Sequence, residues 1–193
     1  MVTRWWWVRH GPTHATGFTG WRDLPADLSD HARIARLNAF LPQKALLISS
    51  DLVRASATAD VLAAGRTRLP AHPGLREFNF GLWDGMPFND VTASDPELSR
   101  IFWEAPGDIA PPEGESWHQL AARVAPVVSA FTAEHAGHDI VAVAHIGVIM
   151  TQIAMASGAT PAEVLSHKID NLSVTTLRHG PDGWQLGQIN HTP

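Results

Sequence analysis

From the N-terminus the chain alternates apolar runs of strand length with stretches whose apolar residues recur at helical spacing, and that rhythm predicts its elements. Residues 5–8 (Trp-Trp-Trp-Val) read as a buried strand that stops at Arg9-His10-Gly11-Pro12, where glycine and proline end regular structure. The Gly-, Pro-, Thr- and Asp-rich stretch 12–27 predicts a long functional loop. Ile34, Leu37 and Leu41 predict a helix over 30–40, capped by Ser29 and closed by Leu41-Pro42. Residues 45–49 predict a second buried strand, and Ser50-Asp51 the cap of a helix through Val53, Ala57, Val61 and Leu62 that ends at Gly65. Residues 68–72 read as a short third strand.

The second half continues the alternation. A Gly-rich segment at 73–87 holds Glu77 among Leu75, Phe78, Phe80 and Trp83, and 89–103 predicts one or two short helices. Three prolines mark 105–114 as an irregular surface loop. The longest helix is expected over 115–135, with a kink or break at Pro126. An apolar strand over Asp139–Ala144 runs into His145, a helix follows over Ile146–Ser157, and a short one over 161–167. Strands at 174–177 and 184–189 close the chain around Pro181-Asp182-Gly183. Strands alternating with helices predict an α/β fold, a mostly parallel sheet covered on both faces in a three-layer α/β/α sandwich. With no internal repeat and no linker, 1–193 is expected to be one domain.

Composition narrows this picture. A content of 45% hydrophobic and 17% charged residues describes an ordinary globular chain with enough apolar material for a core. A formal charge of −5 with no long basic run gives no reason to expect nucleic-acid binding. Without cysteine there is no disulfide, thiol catalysis or Cys-based zinc site. No apolar stretch approaches the ~20 residues of a membrane span, and Arg9-His10 cut short any signal-peptide core, so a cytoplasmic location is expected.

Candidate chemistry falls at four equivalent places, just after an apolar strand or at the start of the next helix: Arg9-His10, Arg54, Glu77 and His145. Parallel strands would place all of them at one sheet edge, where ligands bind in open α/β sheets. The set suits a phosphoryl group. Two arginines offer forked donors matched to phosphate oxygens. A neutral imidazole can attack phosphorus, and a second histidine can donate to the transferring oxygens. A carboxylic acid among aromatic residues, its pKa raised by desolvation, can protonate a leaving oxygen and then activate water.

Other features have plainer readings. Leu177-Arg178-His179-Gly180-Pro181 repeats the Arg-His-Gly-Pro string but leads into a turn, and reads as a hairpin corner. Among eleven histidines, His10 and His14 cannot share a helix across Gly11-Pro12, and His135 and His138 flank a helix end, so no metal site is expected. The tryptophan run reads as core packing rather than as a base-stacking platform.

The sequence resembles the histidine phosphatase, or phosphoglycerate mutase-like, superfamily. The resemblance rests on Arg9-His10-Gly11-Pro12-Thr13, Phe18-Thr19-Gly20-Trp21 with Asp23, and Ser49-Ser50-Asp51-Leu52-Val53-Arg54-Ala55 with Thr58-Ala59. It continues through residues 75–85, Pro112-Glu113-Gly114-Glu115-Ser116 and Val143-Ala144-His145, all in the family's order. It implies a phosphoglycerate mutase-like fold, His10 as the phosphorylated nucleophile, and Arg9, Arg54 and His145 as the rest of the phosphate pocket. It further implies Glu77 as proton donor, Thr13, Thr16, Thr19 and Gly20 as substrate contacts, and no cofactor or metal. The implied partner is a small phosphorylated substrate, with a homodimer left open.

Departures shape the expectation. Pro12 stands where the family usually has Glu, and His31 where members often show glycine. The mutases of the family carry arginine directly after the acid, where this chain has Phe78, and a longer basic insertion with no counterpart here. Few cations at the mouth favour hydrolysis over retention of a doubly phosphorylated intermediate. The expected function is therefore a metal-independent phosphomonoester hydrolase. Phosphoglycerate mutase activity and a catalytically silent phospho-ligand-binding protein are the alternatives. Relatives handle sugar phosphates, α-ribazole phosphate, nucleotides and phosphoproteins, and the mouth at 88–115 is expected to decide among them.

Overall fold

The computed structural model describes all of residues 1–193. Its elements in chain order are β1 (Thr3–Arg9), α1 (His31–Phe40), β2 (Leu46–Ser49), α2 (Val53–Val61) and β3 (Thr67–Arg68). After short 3-10 turns at Pro73–Leu75 and Gly81–Trp83 come α3 (Phe88–Ser94), α4 (Pro96–Glu104) and α5 (Trp117–Glu134). The chain then runs through β4 (Asp139–Ala144), α6 (Ile146–Ser157), α7 (Pro161–Leu165), β5 (Val174–Gly180) and β6 (Gly183–Leu186).

The six strands form one sheet in the order β3-β2-β4-β1-β5-β6. β3, β2, β4 and β1 are parallel, while β5 runs antiparallel to β1 and turns back into β6. The mostly parallel α/β sandwich expected from the alternation is thus the fold, with an antiparallel hairpin at one edge. The second Arg-His-Gly-Pro string ends β5 with Arg178–Gly180, and its Pro181 opens the hairpin's corner before Gly183.

Strand pleating sorts the central residues onto two cores, because successive side chains point to opposite faces. Trp5, Trp7, Ile140, Ala142 and Ala144 join Leu120, Val124 and Val128 of α5 and Val148 and Ile149 of α6. Val8, Val141 and Val143 face the other way, onto Ile34 and Leu37 of α1 and Ala55 and Ala59 of α2. The tryptophan run is sheet and core packing as expected: Trp5 and Trp7 are buried and stacked, with centroids 5.1 Å apart. The Trp5 indole N–H is satisfied by Thr132 Oγ1 at 3.0 Å.

Several element ends differ from the sequence reading. The cap of α1 is Asp30, whose Oδ1 accepts from the Arg33 amide at 2.9 Å, while Ser29 lies one residue outside the helix with its amide on Asp27 Oδ1. Ser50 and Asp51 do not cap α2. Asp51 pairs with Arg76 at 2.6 Å, and the Val53 amide is capped from the 12–27 loop by Asp23 Oδ1 at 2.6 Å. The third strand is two residues long: the Thr67 and Leu69 amides donate to the Ala45 and Leu47 carbonyls, and the regular spacing is then lost across Pro70-Ala71, so that the next bond comes from His72 to the Ser49 carbonyl.

Pro126 does not break α5, which runs unbroken through it. The position is exposed, so the carbonyl of Ala122 that loses its partner faces water. α5 is also anchored at its start by a reciprocal Ser116–Gln119 capping box.

Candidate active site

β1 and β4 are parallel neighbours in a register that pairs Arg9 with Ala144, their last residues. The next residues, His10 and His145, therefore emerge side by side at the C-terminal sheet edge. Their ring centroids are 5.0 Å apart, and the His10 amide donates to the Ala144 carbonyl at 3.0 Å. Arg54 enters from the first turn of α2, behind β2, and Glu77 from the segment between the two 3-10 turns. All four places singled out in the sequence meet here, around a cavity of about 420 Å³ lined by Arg9, His10, Arg54 and Glu77 among others. His145 lies directly behind, fully buried.

The His10 ring is held by its own turn: Nδ1 lies 2.6 Å from the Gly11 carbonyl oxygen. A carbonyl only accepts, so Nδ1 carries the proton and Nε2 keeps the lone pair. Arg54 Nε donates to that Nε2 at 3.3 Å. Burial, and then the Arg54 charge, push the His10 pKa down to about 3, so the ring is neutral throughout the ordinary pH range. Burial, followed by the neighbouring His10 and arginines, likewise keeps His145 well below the usual histidine range. Both His145 nitrogens and Arg9 Nε are buried without a hydrogen-bond partner. Such orphaned polar groups are costly in a core and mark where a ligand would supply what is missing.

Arg54 spans the site. Its terminal nitrogens donate to the carbonyls of Gly20 (2.7 Å) and Arg22 (2.9 Å), which ties the 12–27 loop over the cavity. The same loop is stapled by Asp84, which accepts from the Gly20 and Arg22 amides. Arg9 donates to the Ile169 carbonyl at 2.6 Å, and Asn171 Nδ2 holds the His10 carbonyl at 2.8 Å.

Glu77 is buried, and desolvation raises its pKa against the opposing pull of the Phe78 and Gly147 amides and of Arg54 and Arg9. Its Oε1 accepts from those two amides, each at 3.0 Å. Gly147 lies in the first turn of α6, so the carboxyl group also faces a helix N-terminus.

Of the four expected substrate contacts, Thr13 and Thr19 line the cavity. Thr16 is exposed and outside the lining, and Gly20 acts through its carbonyl on Arg54. Two residues of the site escaped the sequence reading. Gly147 leaves room for Glu77, and its signal is a glycine two positions after His145. Arg123 of α5 donates to the Glu77 carbonyl at 3.0 Å and to that of Arg76 at 3.0 Å, a contact with no local signal.

This α/β sheet, with two arginines, two neutral histidines and a buried carboxyl group at its parallel edge, is of the phosphoglycerate mutase-like class. The chain belongs to the histidine phosphatase superfamily (branch 1), whose model matches residues 5–192. It is 34% identical over 157 residues to the glucosyl-3-phosphoglycerate phosphatase of Mycobacterium tuberculosis, covering 74% of this chain and 70% of that one. It is 28% identical over 176 residues to the 2,3-bisphosphoglycerate-dependent phosphoglycerate mutase of Brucella anthropi, covering 84% and 85%. The solved structure of mycobacterial hydrolase 1 superposes over 100% of both chains with a TM-score of 0.87 and 27% identity. The chain spans 43% of the length of the first mycobacterial relatives that it matches. No helix is long and apolar enough to cross a membrane.

Proposed function

We propose that the chain is a cytoplasmic, metal-independent phosphomonoester hydrolase acting on a small phosphorylated metabolite through a phosphohistidine on His10. The observation that carries this reading is the His10 ring itself, neutral, with Nδ1 locked on the Gly11 carbonyl and Nε2 at the cavity beside Arg54. Arg9, Arg54 and the N–H of His145 hold the phosphoryl oxygens, which gives partners to Arg9 Nε and to one of the two His145 nitrogens. His10 Nε2 forms a bond to phosphorus as the ester P–O bond breaks, and the leaving oxygen takes the proton of Glu77. The Gly11 carbonyl supports the positive charge left on the phosphorylated ring. Glu77, now a carboxylate, takes a proton from water as the water oxygen attacks phosphorus, which releases inorganic phosphate and restores both residues. On this reading one domain over 1–193 carries every group invoked.

Hydrolysis is favoured over the mutase reaction by Phe78. Where the mutases of the family carry arginine, this side chain is buried against Phe80, Phe102 and Trp117 and offers no charge to a second phosphate. The test is direct. Phosphate release from an aryl phosphate survives EDTA, vanishes in His10→Ala, and leaves an acid-labile, base-stable phosphate on His10 after a rapid acid quench. A requirement for added metal overturns the mechanism. Conversion of 3-phosphoglycerate to 2-phosphoglycerate faster than phosphate release establishes the mutase instead.

A further inference from the structure

The two ends of the cavity differ in kind. The inner end holds the charged and titratable groups, and Arg9 and Arg54 are the cations of its lining. The outer end is a box of aromatic and aliphatic side chains. Phe18 forms its buried wall, with Phe88 edge-on at 4.6 Å and Trp103 stacked at 6.0 Å between centroids. Met150 and Leu165 also line the cavity, as do Phe78 and Phe80, which pack in the same aromatic cluster as Phe18. Phe88 and Trp103 remain 54% and 44% exposed, on two different helices, α3 and α4. Large apolar side chains left open at the mouth of a concave site lose little when wet and gain when an apolar group covers them.

The polar groups at this end are few. Thr19 spends its hydroxyl proton on the Gly17 carbonyl at 3.3 Å, which leaves Thr13 and His167. A sugar would bring several hydroxyls, each needing a partner once buried, and a carboxylate would need a cation that the outer end lacks. We infer that the cavity selects phosphomonoesters whose organic half is apolar and planar, an aromatic group seated between Phe88, Trp103 and Phe18, rather than a sugar or carboxylated metabolite. This rests on the phosphatase reading and names its substrate class.

Leaving-group chemistry must be held constant, because aryl phosphates are intrinsically more reactive than alkyl ones. The comparison is therefore among alkyl esters: 2-(naphthyl)ethyl phosphate, ethyl phosphate, glycerol 3-phosphate and 3-phosphoglycerate. The naphthylethyl ester is turned over with kcat/KM roughly a hundredfold above the other three. In Trp103→Ala and Phe88→Ala that preference falls about tenfold. Calorimetry adds a readout that needs no turnover, in which naphthylmethyl phosphonate binds more tightly than methyl phosphonate and the gap narrows in both variants. If no ester is hydrolysed but the phosphonate gap is present, the hydrolase reading fails and the apolar subsite stands. Equal turnover of the polar esters, equal binding of the two phosphonates, or a preference untouched in both variants overturns the subsite. A phosphotyrosine peptide cleaved faster than the naphthylethyl ester also overturns it, by moving the occupant to a protein.

Discussion

The Gly147 amide donates to Glu77 Oε1 at 3.0 Å, and nothing larger than hydrogen fits between the two residues. A Cβ on Gly147 would lie 2.5 Å from Oε1 and 2.5 Å from a ring carbon of Phe78, whose ring is fixed by the aromatic core. The carboxyl group must then move, because backbone and core cannot. Gly147→Ala is expected to lower kcat by about one to two orders of magnitude, the cost of a roughly 1 Å misplacement at the reacting centre. Inhibition by vanadate, which reports the arginines and histidines, is expected to change far less. A kcat equal to that of the parent would remove the Gly147–Glu77 contact from the mechanism.

The pH dependence of kcat/KM follows from the two shifted groups. His10 must be neutral to attack, and with a pKa of about 3 it is neutral at every pH above that value, so it sets no limb near neutrality. Glu77 must be protonated to serve the leaving oxygen. Burial raises its pKa, so the proton persists above the ordinary carboxylate range and is lost as pH rises through the raised value. Activity therefore falls on the alkaline side. In Glu77→Gln the rate with an alkyl phosphate is expected to drop by about 10²–10⁴-fold and that alkaline limb to vanish. A nitrophenyl phosphate, whose leaving group needs no proton, recovers much of the loss. Equal losses on both substrates would deny Glu77 the proton-donor role.

Arg123 acts on Glu77 from behind. Its guanidinium reaches the carbonyls of Gly74, Arg76 and Glu77 and pairs with Glu115 at 2.5 Å, while Trp21 lies against both Arg123 and Arg76. Trp21 in turn donates its indole N–H to the Glu77 carbonyl at 2.8 Å. Arg123→Met removes charge and donors while keeping the stem, and leaves the half-buried Glu115 without its cation. A loss of stability on the order of 2–4 kcal/mol is expected by chemical denaturation. As a positioning residue it should also lower kcat more than it raises KM, and Arg123→Lys should restore stability in part and kcat little. Lost stability with unchanged kcat would make Arg123 purely structural.

These contacts show where the sequence stopped being legible. The strands and long helices were readable because burial imposes a period of its own, as in Trp5–Val8 or the stripe through Leu120, Val124 and Val128. The candidate catalytic groups were readable because a parallel sheet puts strand ends on one side, so that four separate stretches could be assigned to one edge. The supporting contacts are different in kind. Asp23 caps α2 across 30 residues of chain and Arg123 meets Glu77 across 46, and no local pattern encodes either. Ser29 and Asp30 are both good caps one residue apart, and residue type alone does not say that Asp30 takes the Arg33 amide. Pro126 pointed to a kink or a break, and α5 is not broken there, its proline lying on the exposed face.

The site should also set the acid limit of the fold. His10 and His145 are neutral in the folded protein, held there first by burial. In the unfolded chain each takes a proton as pH falls through about 6.5. Between that value and the folded pKa, about 3 for His10, the unfolded state binds more protons, so stability is present at neutral pH and lost as pH falls. Each histidine that stays neutral contributes a slope of up to about 1.4 kcal/mol per pH unit in that window. Glu77 has the opposite sign: its raised folded pKa favours the folded state at low pH, and that contribution is lost as pH rises through the raised value. The two histidines outnumber it, so the thermal midpoint should fall between pH 6.5 and pH 4. His10→Asn and His145→Asn should each show a shallower decline across this range, followed by circular dichroism melts at half-unit intervals. A decline as steep in both variants as in the parent would place the acid sensitivity elsewhere in the molecule.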